Sequence, residues 1–178
     1  KTLFSKTNDS YEVLVKKADS SIIKEVSDMK IKGIYTKDEP GRFYQLASGA
    51  SHIFGFVGPT AESAIDAGHY GLEEFYEKEL SGKSGSTNGS KIVKSAPGKD
   101  LILTIDLNIQ IEAEKILDNL IKTYNAKGGS VIVEDPKTGK ILAMGSYPNF
   151  NPNDYGQFPV SSFLNPATQQ IYEPGSVF

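Results

Sequence analysis

Hydrophobic positions in the early part of the chain fall at helical spacing in two places. Ile22, Ile23, Val26 and Met29 share one face of a predicted helix that Asp19 or Ser20 can cap and Gly33 ends. A preceding helical turn is expected from Tyr11, capped by Asp9 or Ser10. Over residues 72–80, Leu72, Phe75, Tyr76 and Leu80 form a second helical stripe. Glu73 and Glu74 suit its positive N-terminal end, and Ser81-Gly82 stops it. Between the two helices, residues 34–36 and 43–46 read as extended pieces around the turn signal Glu39-Pro40-Gly41. The run IFGFVG at 53–58 predicts a buried strand whose glycines admit the close approach of another backbone.

The stretch SGKSGSTNGS at 81–90 breaks this pattern. It reads as a flexible linker or, better, as a loop leading into a hairpin with Asn88-Gly89 in a type I′ turn. Pro97-Gly98 marks the expected domain boundary. Beyond it, LILTI at 101–105 predicts a compact apolar strand, and Asp106 is a good N-cap for a helix over 107–124. Ala113, Ile116, Leu117, Leu120, Ile121 and Tyr124 hold the spacing of one buried face, and Gly128-Gly129 closes the helix. Residues 130–134 and 140–144 predict a β-hairpin around a Pro136–Gly139 turn, with Val131 and Val133 on one face and Ile132 on the other. A strand, a helix and two antiparallel strands in succession open an α+β domain, its helix packed on antiparallel strands. Residues 146–175 then turn irregular, with five prolines and several aromatics; ordered loops of such length are usually functional.

Composition narrows the chemistry. The chain has 178 residues, enough for one domain or for a small domain and part of another. Hydrophobic residues make up 38% and charged residues 23%, which supports a core and argues against disorder. The net charge is -3, without a basic stripe interleaved with aromatics, so nucleic acid is not an expected partner. The basic stretch at 91–99 reads as a solvated surface. Without cysteine there is no thiol nucleophile, disulfide or thiolate metal site. His52 and His69 stand in unrelated contexts without metal-ligand spacing, so structural roles are expected for both, and neither metal nor cofactor is. No apolar run approaches the roughly 18 residues of a membrane span, and no signal peptide begins at Lys1, so the chain as given is expected to be soluble.

One serine invites a chemical reading. Ser176 lies in EPGSVF, and a serine after Pro-Gly is by itself an ordinary helix cap. What changes its meaning is the order of segments upstream. RFYQLASGASHIFGFVG (42–58), GLEEFYEKELSGKSG (71–85), DLILTIDLNIQ (100–110), DPKTGKILAMGSYPNFNPN (135–153) and NPATQQIYEPGSVF (165–178) together resemble the class B penicillin-binding proteins, in that family's order. Gln45 departs from it by standing where proline is usual. The resemblance implies a pedestal, or dimerisation, domain over 1–97 and the N-terminal part of a transpeptidase domain over 98–178, ending at the serine of a Ser-x-x-Lys motif. It further implies that Ser176 is the nucleophile that attacks the D-Ala-D-Ala carbonyl of a peptidoglycan stem peptide, and that β-lactams mimic this substrate. The general-base lysine and the later motifs would follow Phe178, so an internal fragment is expected, inactive by itself. The parent is expected to be membrane-anchored on the extracytoplasmic face of the bacterial cytoplasmic membrane.

Physical chemistry agrees with such a site. An alcohol is a poor nucleophile until a base takes its proton, and a lysine one helical turn on lies on the same face. A helix N-terminus adds free N–H groups near a developing oxyanion. Lys137-Thr138-Gly139 spells another motif of the family but precedes the serine and follows Pro136, which marks it as a turn. Two other readings compete. One is a non-catalytic pedestal module that positions a transpeptidase and contacts a membrane glycan polymerase. The other is a stand-alone serine hydrolase, for which no histidine–acid arrangement accompanies Ser176.

Overall fold

The structure is a computed structural model and describes residues 11–15, 18–37, 41–60, 66–83, 85–88, 91–171, 173 and 175. The chain forms two compact units, residues 1–41 and residues 42–178.

In the first unit, α1 (Ser20–Asp28) carries the predicted stripe, with Asp19 at its N-cap. The Asp19 side chain makes no capping bond; its carbonyl accepts from the Ile23 N–H instead. The helix stops at Met29, short of Gly33, because Lys30 turns into the left-handed region. Residues 11–15 are not helical, contrary to expectation. The run YEVLV alternates β-branched and other side chains and favours an extended backbone. The proposed caps Asp9 and Ser10, like Glu39-Pro40, lie outside the described residues. Residues 34–37 are irregular rather than a paired strand.

The second unit begins with a tight turn at 45–50, where an extended piece was expected to reach 46. Ala47 and Ala50 adopt left-handed backbone there, and the Ala47 N–H closes on the Tyr44 carbonyl. The chain then forms α2 (Ser51–Phe54) and β1 (Phe56–Pro59), so Ile53 and Phe54 are helical rather than strand. β1 pairs antiparallel with β2 (Asp66–His69), Phe56 opposite His69. Between α2 and β1, Gly55 has φ 74, and a Cβ there would sit 2.0 Å from the Tyr70 carbonyl oxygen. The expected close approach of two backbones is therefore real. The single helix predicted over 72–80 is two, α3 (Gly71–Phe75) and α4 (Glu77–Leu80), separated at Tyr76. Its buried residue is Glu73, while Phe75 is exposed. β3 (Ser86–Asn88) and β4 (Lys91–Val93) make a hairpin, but Asn88 pairs with Lys91 and ends the strand, so the expected Asn88-Gly89 turn is displaced by one residue; residues 89 and 90 lie outside the described residues.

Residues 101–105 do not form a strand. Thr104 Oγ1 donates to the Ile141 carbonyl (2.6 Å) of the hairpin that follows and, just past the stretch, the Asp106 N–H donates to the Leu142 carbonyl (2.8 Å), while Ile102 is 98% exposed. α5 (Leu107–Tyr124) has the predicted bounds and cap: Asp106 Oδ1 accepts from the Asn108 and Ile109 N–H groups. It ends on Asn125 in the left-handed conformation, ahead of Gly128-Gly129. Its buried face is Gln110, Ala113, Leu117 and Ile121; Ile116, Leu120 and Tyr124 are exposed, so the face is narrower than the apolar pattern suggested.

α5 lies on the hairpin of β5 (Gly129–Glu134) and β6 (Ile141–Tyr147). Val131 and Val133 are partly covered and Ile132 is exposed, as the alternation predicts. Two 3₁₀ turns, Pro152–Gln157 and Val160–Ser162, and α6 (Pro166–Gln169) order the irregular stretch that follows. Its aromatics supply four of the seven rings of a cluster. Phe150 and Phe163 pack with Phe56, Tyr155 stacks on Phe56 at 4.2 Å, and Tyr44, Tyr70 and Phe158 surround them. This cluster draws on both sides of Pro97-Gly98, so packing does not divide the chain there. The elements are helices and small antiparallel sheets, an α+β composition.

Candidate active-site approach

Ser176 lies outside the described residues. What the structure describes is the seat of the segment that leads to it. Asn165 caps α6 by accepting from the Ala167 N–H through Oδ1 (3.1 Å), while the Asn165 N–H donates to Gln169 Oε1 (2.7 Å). The same Asn165 side chain binds the hairpin: Ser146 Oγ donates to its Oδ1 (3.4 Å), and its Nδ2 donates to Met144 Sδ (3.4 Å). Ser146 is buried and meets Ser130 Oγ across the ladder at 2.9 Å. One asparagine thus fastens the approach segment to β6.

β6 is in turn held by α5. Gln110 is wholly buried, and its amide pairs with the Met144 backbone as a strand would, Nε2 donating to the carbonyl (2.8 Å) and Oε1 accepting from the N–H (2.9 Å). Glu114 Oε1 accepts from Gln110 Nε2 and from the Ala50 N–H, each at 2.8 Å. A second clasp joins early and late parts of the unit: the Asn153 side chain accepts from the Tyr44 N–H (3.0 Å) and donates to the Tyr44 carbonyl (2.8 Å). Sequence reasoning missed Gln110, Glu114 and Asn153 as structural centres. The only signal was Gln110 standing in phase with Ala113, Leu117 and Ile121, where an apolar residue would be expected.

Glu73 is buried and receives Arg42 Nε at 3.0 Å and the Tyr44 hydroxyl at 3.2 Å. Burial first, and then the Glu73 carboxylate, push the Tyr44 hydroxyl far above its ordinary value, so it stays a donor. The histidines are structural. His52 Nε2 lies 3.0 Å from the Ser162 carbonyl oxygen, and burial lowers the His52 pKa, an effect the Ser162 bond opposes. His69 Nε2 lies 3.2 Å from the carbonyl oxygens of Gly58 and Pro59. Lys137-Thr138-Gly139 sits in the hairpin turn, where Asp135 accepts from the Lys137 N–H and the Thr138 hydroxyl. Those bonds, the hydroxyl's first, hold the Asp135 pKa below its usual value. A cavity of about 450 Å³ opens beside α6, lined by His52, Phe75, Phe163, Asn165, Thr168 and Gln169 among others. Among the described residues, no group of three or more histidines and carboxylates could hold a metal ion, and no helix is long and apolar enough to cross a membrane.

Residues 3–103 match the penicillin-binding protein dimerisation domain, and residues 129–178 match the penicillin-binding protein transpeptidase domain. The chain belongs to the penicillin-binding protein family. It is 33% identical over 177 residues to stage V sporulation protein D of Bacillus subtilis, covering 92% of this chain and 27% of that protein. It is 32% identical to a probable peptidoglycan D,D-transpeptidase, PbpC, of Pseudomonas aeruginosa, covering 86% of this chain and 28% of that one. With the peptidoglycan D,D-transpeptidase FtsI of Escherichia coli the identity is 26%, over 85% of this chain and 27% of FtsI. The chain thus spans a little over a quarter of the length of these relatives.

Proposed function

We propose that the protein carrying this sequence is a peptidoglycan D,D-transpeptidase that cross-links stem peptides through an acyl-enzyme on Ser176. The observation that supports this reading is one of order: a dimerisation-domain match over 3–103 is followed by a transpeptidase-domain match over 129–178, and Ser176 falls within the second. In this reading residues 1–97 are the pedestal and residues 98–178 open the transpeptidase domain. Ser176 Oγ adds to the penultimate D-Ala carbonyl, the terminal D-Ala leaves with a proton, and an amine of a neighbouring strand then takes the acyl group. β-Lactams enter the same step and stop at the acyl-serine. The reaction places the protein at the extracytoplasmic face of the membrane, where its substrate is assembled.

A second reading, a pedestal module that positions a transpeptidase and contacts a glycan polymerase, draws on the dimerisation match, which covers most of the chain. Labelling separates the two. Fluorescent penicillin applied to the full-length protein should give one labelled species that maps to Ser176, and Ser176→Ala should abolish it. Label on another residue would overturn the assignment, and no label at all would leave the pedestal reading standing.

A further inference from the structure

We infer that Glu114 is a positioning residue for acyl transfer, coupling the turn at 45–50 to the segment that delivers Ser176. The inference rests on the transpeptidase reading of Ser176. Glu114 is partly buried and held through one carboxylate oxygen. Its Oε1 takes two N–H donors, from Ala50 and from the Gln110 side chain, both at 2.8 Å. Glycines leave the room it needs. A Cβ at Gly145 would sit 2.8 Å from Glu114 Cγ, and one at Gly49 would sit 3.3 Å from Oε2.

The Met144 carbonyl and N–H already require one orientation of the Gln110 amide, and the Glu114 carboxylate adds a third bond to it. With Nε2 toward Glu114, the same nitrogen reaches the Met144 carbonyl and Oε1 is left to accept the Met144 N–H. The flipped amide would set oxygen against two acceptors and nitrogen against a donor. Glu114 therefore ties Gln110 to the Ala50 backbone, and Gln110 holds the β6 backbone at Met144. From there Met144 Sδ and Ser146 Oγ hold the Asn165 side chain, which caps α6 upstream of Ser176. Each link is a hydrogen-bond contact between residues of one compact unit, and Gln110 and Ser146 are buried. Gln110 and Ser146 cannot turn to solvent for substitute partners, so displacement is passed through them, while Glu114, Met144 and Asn165 are partly covered.

Removing the carboxylate leaves the Ala50 N–H without its acceptor and takes one of the three bonds that hold the Gln110 amide, so the registration of Met144 and then of Asn165 is loosened. Small displacements of a nucleophile are expensive: a shift near 1 Å can cost about a hundredfold in rate. In the full-length protein, Glu114→Ala should lower the second-order rate constant for acylation by fluorescent penicillin about tenfold or more, while the fraction labelled at saturation stays that of the wild type. Glu114→Gln, which keeps an acceptor oxygen of the same reach, should recover most of the rate. Asn165→Ala should lower the rate as well, and the double variant should be no slower than the slower single, since both cut one path. Should Glu114→Ala not accumulate in folded form, Glu114→Asp, too short to reach both donors, is read in its place.

A labelled fraction that falls with an unchanged rate constant would mean that Glu114 serves stability alone, and the inference fails. Independent, multiplicative losses in the double variant would also overturn it. Ser176 labelled in the wild type with unaltered rates in the variants would sink this inference and leave the function intact. A protein not labelled at Ser176 would sink both.

Discussion

The His52 imidazole is buried edge-on to Phe150, with ring centroids 5.5 Å apart. Burial disfavours its charged form and lowers its pKa below the ordinary value of 6.5. The sign for stability follows. Between the folded and unfolded values the unfolded chain binds a proton that the folded chain refuses, so stability is lost as pH falls below about 6.5 and levels off below the folded value. On going from about pH 7.5 to about pH 5.5, the urea midpoint should drop more for the wild type than for His52→Gln. An NMR titration placing His52 at or above its ordinary value would contradict this account. The sequence pointed to a structural role for this residue, since it lacks metal-ligand spacing, but which ring and which carbonyl it would meet depended on residues far along the chain.

Local rules governed α5 most fully. Asp106, the helical spacing and the length of the run all act within a few turns, and the helix has the bounds they predict. Asp106→Ala leaves the Asn108 and Ile109 N–H groups without their acceptor and should cost about 1 kcal/mol in urea unfolding, within the ~0.5–2 kcal/mol range for such caps. Asp106→Asn should retain most of the stability, and an alanine variant as stable as the wild type would show that the cap contributes nothing. The same local logic failed at 101–105. LILTI has the composition of a strand, but a strand needs a partner along its edge, and this stretch reaches the β5–β6 hairpin through the Thr104 hydroxyl rather than through a backbone ladder. The helix expected over 72–80 failed differently. Its apolar stripe was present, but Glu73 took the buried position because Arg42 and Tyr44 offer it charge and a hydroxyl.

For the molecule as a whole, acylation at Ser176 under the proposed function draws on groups placed around the serine: a positioned base contributes ~10²–10⁴-fold and preorganised oxyanion donors a further ~10²–10³-fold. Urea-unfolded full-length protein should therefore show no penicillin acylation above that of an ordinary surface serine when compared by gel with the folded protein. Stoichiometric labelling of the unfolded protein would show that this placement is not needed. In the folded chain α5 presents Ile111, Ile116 and Leu120 half exposed, the sort of surface that drives association.

By itself the sequence determined the features that depend on near neighbours: α5 with its cap, the β5–β6 hairpin with its alternation and turn, the two-strand pairing around 86–93, and the ordered motifs that mark the penicillin-binding family. Periodicity and turn chemistry are local, and a family signature is a matter of order along the chain. The tertiary structure decided what distant residues do to one another. It buried Glu73 and Gln110, gathered Phe56 with Phe150 and Phe163 across the expected boundary, and joined Ala50 to Met144 through Glu114. A buried polar group is tolerable only where its partners converge, and that convergence is a property of three-dimensional packing that no local pattern encodes.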